Sequence, residues 1–146
     1  MDEVQTALVE NLMSQARLAR NHAYAPYSHY MVGAAFISES GHVYKGCNVE
    51  NISYGLTCCA ERNAIAQGVV SEGPGLRIQT LLVLNREEDD CSPCGACRQV
   101  IKEFSNSQSR ILFHSGGALQ NIDVAALLPF SFSFAPEIAH KDSLNG

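Results

Sequence analysis

The sequence predicts an α/β protein in which helices cover a mixed sheet. Three observations lead there. An amphipathic helical pattern opens the chain, an apolar run returns on itself through a Gly-containing turn as a β-hairpin, and a later strand-helix-strand succession has the form of a right-handed parallel crossover. A hairpin makes antiparallel neighbours and a crossover makes parallel ones, so a sheet that holds both is mixed.

The first helix is expected over residues 3–22. Val4, Leu8 and Leu12 recur every fourth position, acids stand at its start, and Arg17, Arg20 and His22 suit the negative end of its dipole. It stops before Pro26. Residues 32–37 read as a buried strand, Glu39-Ser40-Gly41 as a turn, and residues 43–48 as the returning strand. A second helix is expected over residues 59–70, and Gly73-Pro74-Gly75 separates it from an apolar strand over 78–84. Ser92-Pro93 then has the form of an N-cap followed by a proline at the first helical position, opening a helix that ends near Phe104. A strand over 110–114 and a short helix over 124–127, stopped by Pro129, complete the pattern.

At 146 residues, 46% hydrophobic and 17% charged, the chain has the composition of a globular protein with one core. One domain over residues 1–146 is expected. The formal net charge of -5 disfavours a long phosphate backbone as partner, because such proteins carry an excess of Lys and Arg. The opening Met1-Asp2-Glu3-Val4-Gln5 lacks the basic start and apolar run of a signal peptide, and no segment approaches transmembrane length. The expected location is the cytoplasm, with no membrane partner. There, six cysteines serve as thiols or metal ligands rather than as disulfides.

Cys59-Ala60-Glu61-Arg62 and Pro93-Cys94-Gly95-Ala96-Cys97 together supply three thiolates and a carboxylate. A catalytic zinc takes three protein ligands and keeps a fourth position for water, whereas a structural zinc closes its tetrahedron with four. Cys-x-Glu followed by Pro-Cys-x-x-Cys matches the zinc deaminase pattern in its all-cysteine form, with Cys59, Cys94 and Cys97 as ligands and Glu61 as proton carrier. Both stretches fall at expected helix N-termini, where free N–H groups and the helix dipole favour thiolates. Arg62, beside the cluster, is placed to offset the charge of three thiolates on one dication.

Each signal also has a plainer reading. Cys-x-x-Cys alone suits a thioredoxin-like redox pair, but redox chemistry has no use for a third thiol with a carboxylate two residues on. A four-cysteine structural zinc would take its last ligand from Cys47, Cys58 or Cys91. Cys58 and Cys59 point about 100° apart at a helix start, so one of them faces the metal, and Cys59 is the one two residues before Glu61. Taken singly, Glu61 and Arg62 would pass for exposed helix charges.

The segments Ala25-Pro26-Tyr27-Ser28-His29-Tyr30, Val32-Gly33-Ala34-Ala35, Gly46-Cys47-Asn48-Val49-Glu50-Asn51, Cys59-Ala60-Glu61-Arg62-Asn63-Ala64-Ile65 and Ser92-Pro93-Cys94-Gly95-Ala96-Cys97-Arg98-Gln99-Val100 resemble, in this order, the cytidine deaminases of the small homotetrameric kind. The resemblance implies a three-layer α/β/α sandwich around a five-stranded mixed sheet. It implies hydrolysis of cytidine and 2'-deoxycytidine to the uridine products with release of ammonia, in pyrimidine salvage. One Zn2+ per subunit, a nucleoside rather than a nucleic acid as partner, and a homotetramer are implied with it.

Residue by residue, the resemblance implies that Asn48 and Glu50 bind the ribose at its 3'-hydroxyl. Tyr30, where relatives commonly have phenylalanine, packs on the pyrimidine, and Tyr54 and Phe132 reach the site across subunit contacts. Backbone groups near Val32 and Ala60 position the base edge. Met31 and Gly55 stand where prolines are frequent in relatives, and phenylalanine recurs at 130, 132 and 134. A carboxylate at Glu50 would repel a phosphate on the sugar 3'-oxygen, which disfavours chain-linked cytosine. The alternatives are a deaminase of modified nucleosides or of nucleic-acid cytosine, and a non-catalytic four-cysteine zinc module.

Overall fold

A computed structural model describes residues 3–85 and 89–132 of the chain. In chain order the elements are α1 (Glu3–Arg20), β1 (Gly33–Ser38), β2 (Val43–Cys47), a 3-10 turn at Tyr54–Leu56, α2 (Ala60–Glu72), a second such turn at Gly73–Gly75, β3 (Ile78–Leu84), α3 (Gly95–Glu103), β4 (Ser105–Ser115), β5 (Ala118–Asp123) and α4 (Val124–Leu127). The strands form one sheet in the order β2-β1-β3-β4-β5. β3 and β4 run parallel, and the other neighbours are antiparallel, so the sheet is mixed.

Successive strand residues point to opposite faces, and here both faces are covered, which is why β3 is continuously apolar over residues 81–84. On one face Val9, Leu12 and Ala16 of α1 pack against Ala35, Leu82, Leu84 and Leu112. On the other, Ala34, Phe36, Leu81, Val83, Ile111 and Phe113 meet Ala64 and Ile65 of α2, Ile101 of α3, and Val124 and Leu127 of α4. The result is an α/β/α sandwich.

Two glycines let the helices approach the sheet closely. A Cβ at Gly33 would lie 2.0 Å from the Ala16 carbonyl oxygen of α1, and one at Gly46 would lie 2.4 Å from Ala64 N and 2.6 Å from Ala60 O of α2. Asn63 adds a hydrogen bond from Nδ2 to the Cys47 carbonyl at 2.8 Å. The first turns of α2, which carry Glu61 and Arg62, are thus pressed onto β2.

Three local expectations change. The fifth strand implied by the resemblance is β5, which the hydrophobic pattern did not mark. It pairs Ser115 with Ala118 through Gly116 and Gly117, both at positive φ (63° and 76°), a two-residue turn of the primed type that suits the twist of a hairpin. β4 also starts earlier than residue 110, at Ser105. The helix expected from Pro93 begins at Gly95, and its cap is Cys94 rather than Ser92, with the Cys94 sulfur accepting from Cys97 N–H at 3.5 Å. Pro93 is buried ahead of that cap, and Arg98 Nε donates to its carbonyl at 2.8 Å.

Candidate active site

The site is assembled from two helix starts. Cys59 is the N-cap of α2 with an extended backbone, Cys94 is the N-cap of α3, and Cys97 is the third residue of α3. These positions lie among the unpaired amide N–H groups of a helix beginning, which stabilise negative sulfur. The three Sγ atoms lie within 4.8 Å of one another, with Cys59 and Cys94 at 3.9 Å. Zinc–sulfur bonds of 2.3 Å in a tetrahedron set neighbouring sulfurs about 3.8 Å apart. The sulfurs therefore fit a zinc ion. Among the described residues this group has three members; Cys47, Cys58 and Cys91 lie outside it. Three ligands leave one tetrahedral position for a reactant.

Charge is arranged around the sulfurs. Contact with Cys97 pulls the Cys59 thiol down to about 5, against the effect of burial and with help from the Arg62 guanidinium. The same contact, then burial and the Glu61 carboxylate, push the Cys97 thiol up. Arg62 Nη2 donates to Cys59 Sγ at 3.6 Å and to the Thr57 carbonyl at 3.1 Å. Its guanidinium is held more firmly protonated, first by the Cys59 sulfur. Arg62 is thus half-buried against the Cys59 sulfur rather than an exposed charge.

Glu61 is 4% exposed, and its Oε2 accepts from Cys97 Sγ at 3.5 Å. Burial, with the neighbouring Cys59 sulfur, raises the carboxyl above its ordinary range. An acid in a first helical turn is ordinarily solvated; this one points into a cleft beside the sulfurs.

That cleft encloses about 420 Å³ and is lined by Tyr30, Val32, Asn48, Glu50, Cys59, Ala60, Glu61 and Cys94, together with Ser28, Thr57, Val83, Cys91 and Ser92. An adjoining part of about 310 Å³, bounded by Tyr27, Ser28, Glu50, Tyr54 and Thr57, shares Ser28, Glu50 and Thr57 with it. Of the sequence-assigned residues, Cys97 and Arg62 stand behind this lining, in contact with Glu61 and Cys59 respectively, and Phe132 alone is not brought to the site. Phe132 is 69% exposed and lines neither part; Phe134 lies outside the described residues. Tyr54 stacks edge-on against Tyr27, ring centres 5.6 Å apart.

Several side chains are committed before any substrate arrives. Asn48 Oδ1 accepts from Val32 N–H and its Nδ2 donates to the Tyr30 carbonyl, each at 2.8 Å. Half of the amide's capacity remains, one N–H and one lone pair. The Val32 N–H is taken by that bond, and its carbonyl accepts from Asn48 N at 3.2 Å. Glu50 is held by Tyr27 N–H at 2.8 Å, by Ser28 N–H at 3.3 Å and by the Ser28 hydroxyl. Tyr30 OH donates to the Asp90 carbonyl at 3.2 Å. Burial pushes the Cys91 thiol up to about 11, so it forms a neutral wall.

Sequence reasoning passed over Ser28, Thr57 and Val83 as lining residues, and weighed Cys91 only as a ligand. Ser28 sits inside the Ala25-Tyr30 motif, so its neighbourhood was marked although its partner was not. Thr57 and Val83 carry no pattern that would separate them from ordinary loop and strand residues.

Comparison with known proteins agrees with this geometry. Residues 7–114 match the family described as the cytidine and deoxycytidylate deaminase zinc-binding region. The chain belongs to that family. Relatives include a cytidine deaminase of Sporosarcina psychrophila, 45% identical over 127 residues that span 86% of this chain and 91% of the relative, and one of Halalkalibacterium halodurans, 42% identical over 84% of this chain and 92% of the relative. The fold is similar to the crystal structure of cytidine deaminase from Burkholderia pseudomallei, with a TM-score of 0.76, 38% identity, and 84% of this chain and 98% of that one covered. The Mycobacterium tuberculosis enzyme gives a TM-score of 0.76 at 36% identity, covering 86% of this chain and 98% of that one.

Proposed function

We propose that this chain is a zinc-dependent hydrolase that removes the amino group of cytidine, and of 2'-deoxycytidine, giving the uridine product and ammonia. The observation that carries this reading is the meeting of three cysteine sulfurs with the buried carboxylate of Glu61 at one cleft, whose wall Cys59, Cys94 and Glu61 form. The relatives named cytidine deaminase support it.

Cys59, Cys94 and Cys97 would hold zinc, which would supply Lewis acidity that lowers the pKa of a nearby water. Glu61 moves the protons. It takes one from water as the oxygen adds to C4 of the base and passes it to ring N3, where it stays in the product. It takes the second from the new C4 hydroxyl and passes it to the amino nitrogen. The C4–N bond then breaks, ammonia departs, and the carbonyl forms. Arg62 restrains the charge on Cys59, and backbone groups at Ala60 and the Val32 carbonyl orient the base.

Glu50, with the spare N–H of Asn48, accepts and donates at the sugar 3'-hydroxyl, and the Tyr30 ring forms the wall against the pyrimidine. A carboxylate there disfavours a phosphate on the 3'-oxygen, so free nucleosides are the substrates rather than chain-linked cytosine. We assign a homotetramer of single-domain subunits, working in the cytoplasm in pyrimidine salvage. Support for the assembly comes from the exposed apolar loop at the cleft mouth, with Ile52 81% and Tyr54 73% exposed, and from Phe132, which stands outside its own cleft. Among the described residues no helix is long and apolar enough to cross a membrane.

The test is loss of cytosine ultraviolet absorbance, with ammonia release, when purified zinc-loaded protein meets free cytidine. A cytosine-containing oligonucleotide is expected to stay unchanged. Turnover of the oligonucleotide without turnover of cytidine would overturn the assignment.

A further inference from the structure

Ser28 hydrogen-bonds two walls of the cleft at once. Its N–H and that of Tyr27 both point at Glu50 Oε2, at 3.3 Å and 2.8 Å. Its hydroxyl donates to Glu50 Oε1, and the same hydroxyl oxygen accepts from Tyr30 N–H at 3.0 Å. Consecutive backbone N–H groups aimed at one anion form a nest, and here the anion is a side chain of the chain itself. The next residue, His29, has φ of 56°, a left-handed conformation that is unfavourable for a non-glycine residue. The turn therefore keeps its shape through its contacts, with His29 N–H closing on the Ala25 carbonyl at 3.0 Å and Glu50 filling its centre.

This arrangement determines what Glu50 can still do. An ionised carboxylate has about four lone-pair directions and no donor. Three are taken by Tyr27 N–H, Ser28 N–H and the Ser28 hydroxyl, which leaves one, on Oε1. A free carboxylate on a three-torsion stem would have to be ordered on each binding event, whereas a pinned one is already in place. The Ser28 hydroxyl is also the leading reason that the Glu50 carboxyl lies below its ordinary range.

We propose that Ser28 is a positioning residue for substrate selection: it fixes Glu50 so that the remaining Oε1 lone pair faces a sugar hydroxyl, and through Tyr30 N–H it sets that acceptor at a constant distance from the aromatic wall. This rests on the reading of Glu50 as the acceptor for the 3'-hydroxyl. Ser28 is exposed, so replacing it leaves the core untouched.

The experiment compares kcat and KM for cytidine and for 3'-deoxycytidine in the zinc-loaded parent, Ser28→Ala, Ser28→Thr, Glu50→Gln and the Ser28→Ala/Glu50→Gln double variant. Ser28→Ala is expected to raise KM for cytidine by about three- to thirtyfold with kcat nearly unchanged, to leave 3'-deoxycytidine almost unaffected, and to be rescued by Ser28→Thr. In the Glu50→Gln background the alanine change is expected to leave the preference for cytidine over 3'-deoxycytidine unaltered, because the charged acceptor it positions is gone. Equal losses on both nucleosides, a loss confined to kcat, or additive effects on that preference in the double variant would overturn the role of Ser28 while leaving that of Glu50 standing. If Glu50→Gln itself does not change the preference for cytidine over 3'-deoxycytidine, the sugar reading of Glu50 fails, and the role of Ser28 fails with it.

Discussion

Arg62 bridges Cys59 and Thr57: one guanidinium nitrogen lies 3.6 Å from the Cys59 sulfur and 3.1 Å from the Thr57 carbonyl oxygen. The contact joins a metal-ligand candidate to the strand of chain that enters α2. It therefore acts on both charge and position.

Arg62→Gln keeps a donor amide but loses the positive charge. Groups that hydrogen-bond metal ligands are worth about 10- to 100-fold in metal affinity or activity. The variant is expected to lose kcat in that range while KM for cytidine moves much less, and to release zinc to a chelator faster. Steady-state kinetics with zinc analysis checks this, and an unchanged kcat with an unchanged zinc content would reduce Arg62 to a surface charge.

Gly46→Ala tests the seat of α2. The added methyl would stand 2.4 Å from Ala64 N and 2.6 Å from Ala60 O, backbone atoms that yield only if the helix moves. Overpacking of this kind costs about 1–3 kcal/mol. Thermal unfolding is expected at a lower temperature, and kcat is expected to fall as well because the displaced turn carries Glu61. A variant as stable and active as the parent would show that α2 is not held by this contact.

The motifs at Cys59 and Cys94 were legible because metal chemistry restricts residue type and spacing together, and the order of helices told where those motifs would sit. The Cys94 sulfur as a cap was not. Ser92-Pro93 carries the stronger statistical signal for a helix start, yet the Cys94 sulfur takes the capping bond and Pro93 stays buried ahead of the helix. The Gly116-Gly117 pair was the available sign of the β4–β5 hairpin, since two glycines between apolar runs suit a primed turn; β5 itself is half-exposed and polar at Gln120 and Asn121, so its hydrophobic pattern is weak. The cradle of Glu50 depends on a left-handed His29 and on backbone N–H groups of Tyr27 and Ser28. No side-chain pattern announces those.

Glu72 should contribute to acid sensitivity of folding. Its Oε1 accepts from Ser38 Oγ at 2.6 Å, Ser40 Oγ at 2.7 Å and Tyr44 OH at 2.9 Å. The Ser38 and Ser40 hydroxyls are the leading causes that hold its carboxyl below the ordinary range. A carboxyl lowered on folding adds stability above its unfolded pKa and loses it as pH falls through the lower folded value. The stability advantage of the parent over Glu72→Gln is therefore expected in full near neutrality and to shrink below about pH 4.3, the ordinary value for glutamate. Denaturant titrations at several pH values check this; a difference that does not vary with pH would contradict it.

Assembly is tested by sedimentation and by mixing. A homotetramer is expected, and Phe132→Ala is expected to lower activity with the zinc content kept. A fully active monomer would remove the neighbouring subunit from the site.

Zinc content and turnover measured together in Glu61→Gln test the central claim most directly. The amide is nearly isosteric with the acid but cannot relay protons, and general acid-base catalysis contributes about 10²- to 10⁴-fold. The expected result is a variant that folds, keeps about one zinc per chain and binds cytidine, yet loses kcat by at least that factor. Retained turnover of cytidine in a zinc-loaded Glu61→Gln protein would contradict the assignment of proton transfer to Glu61.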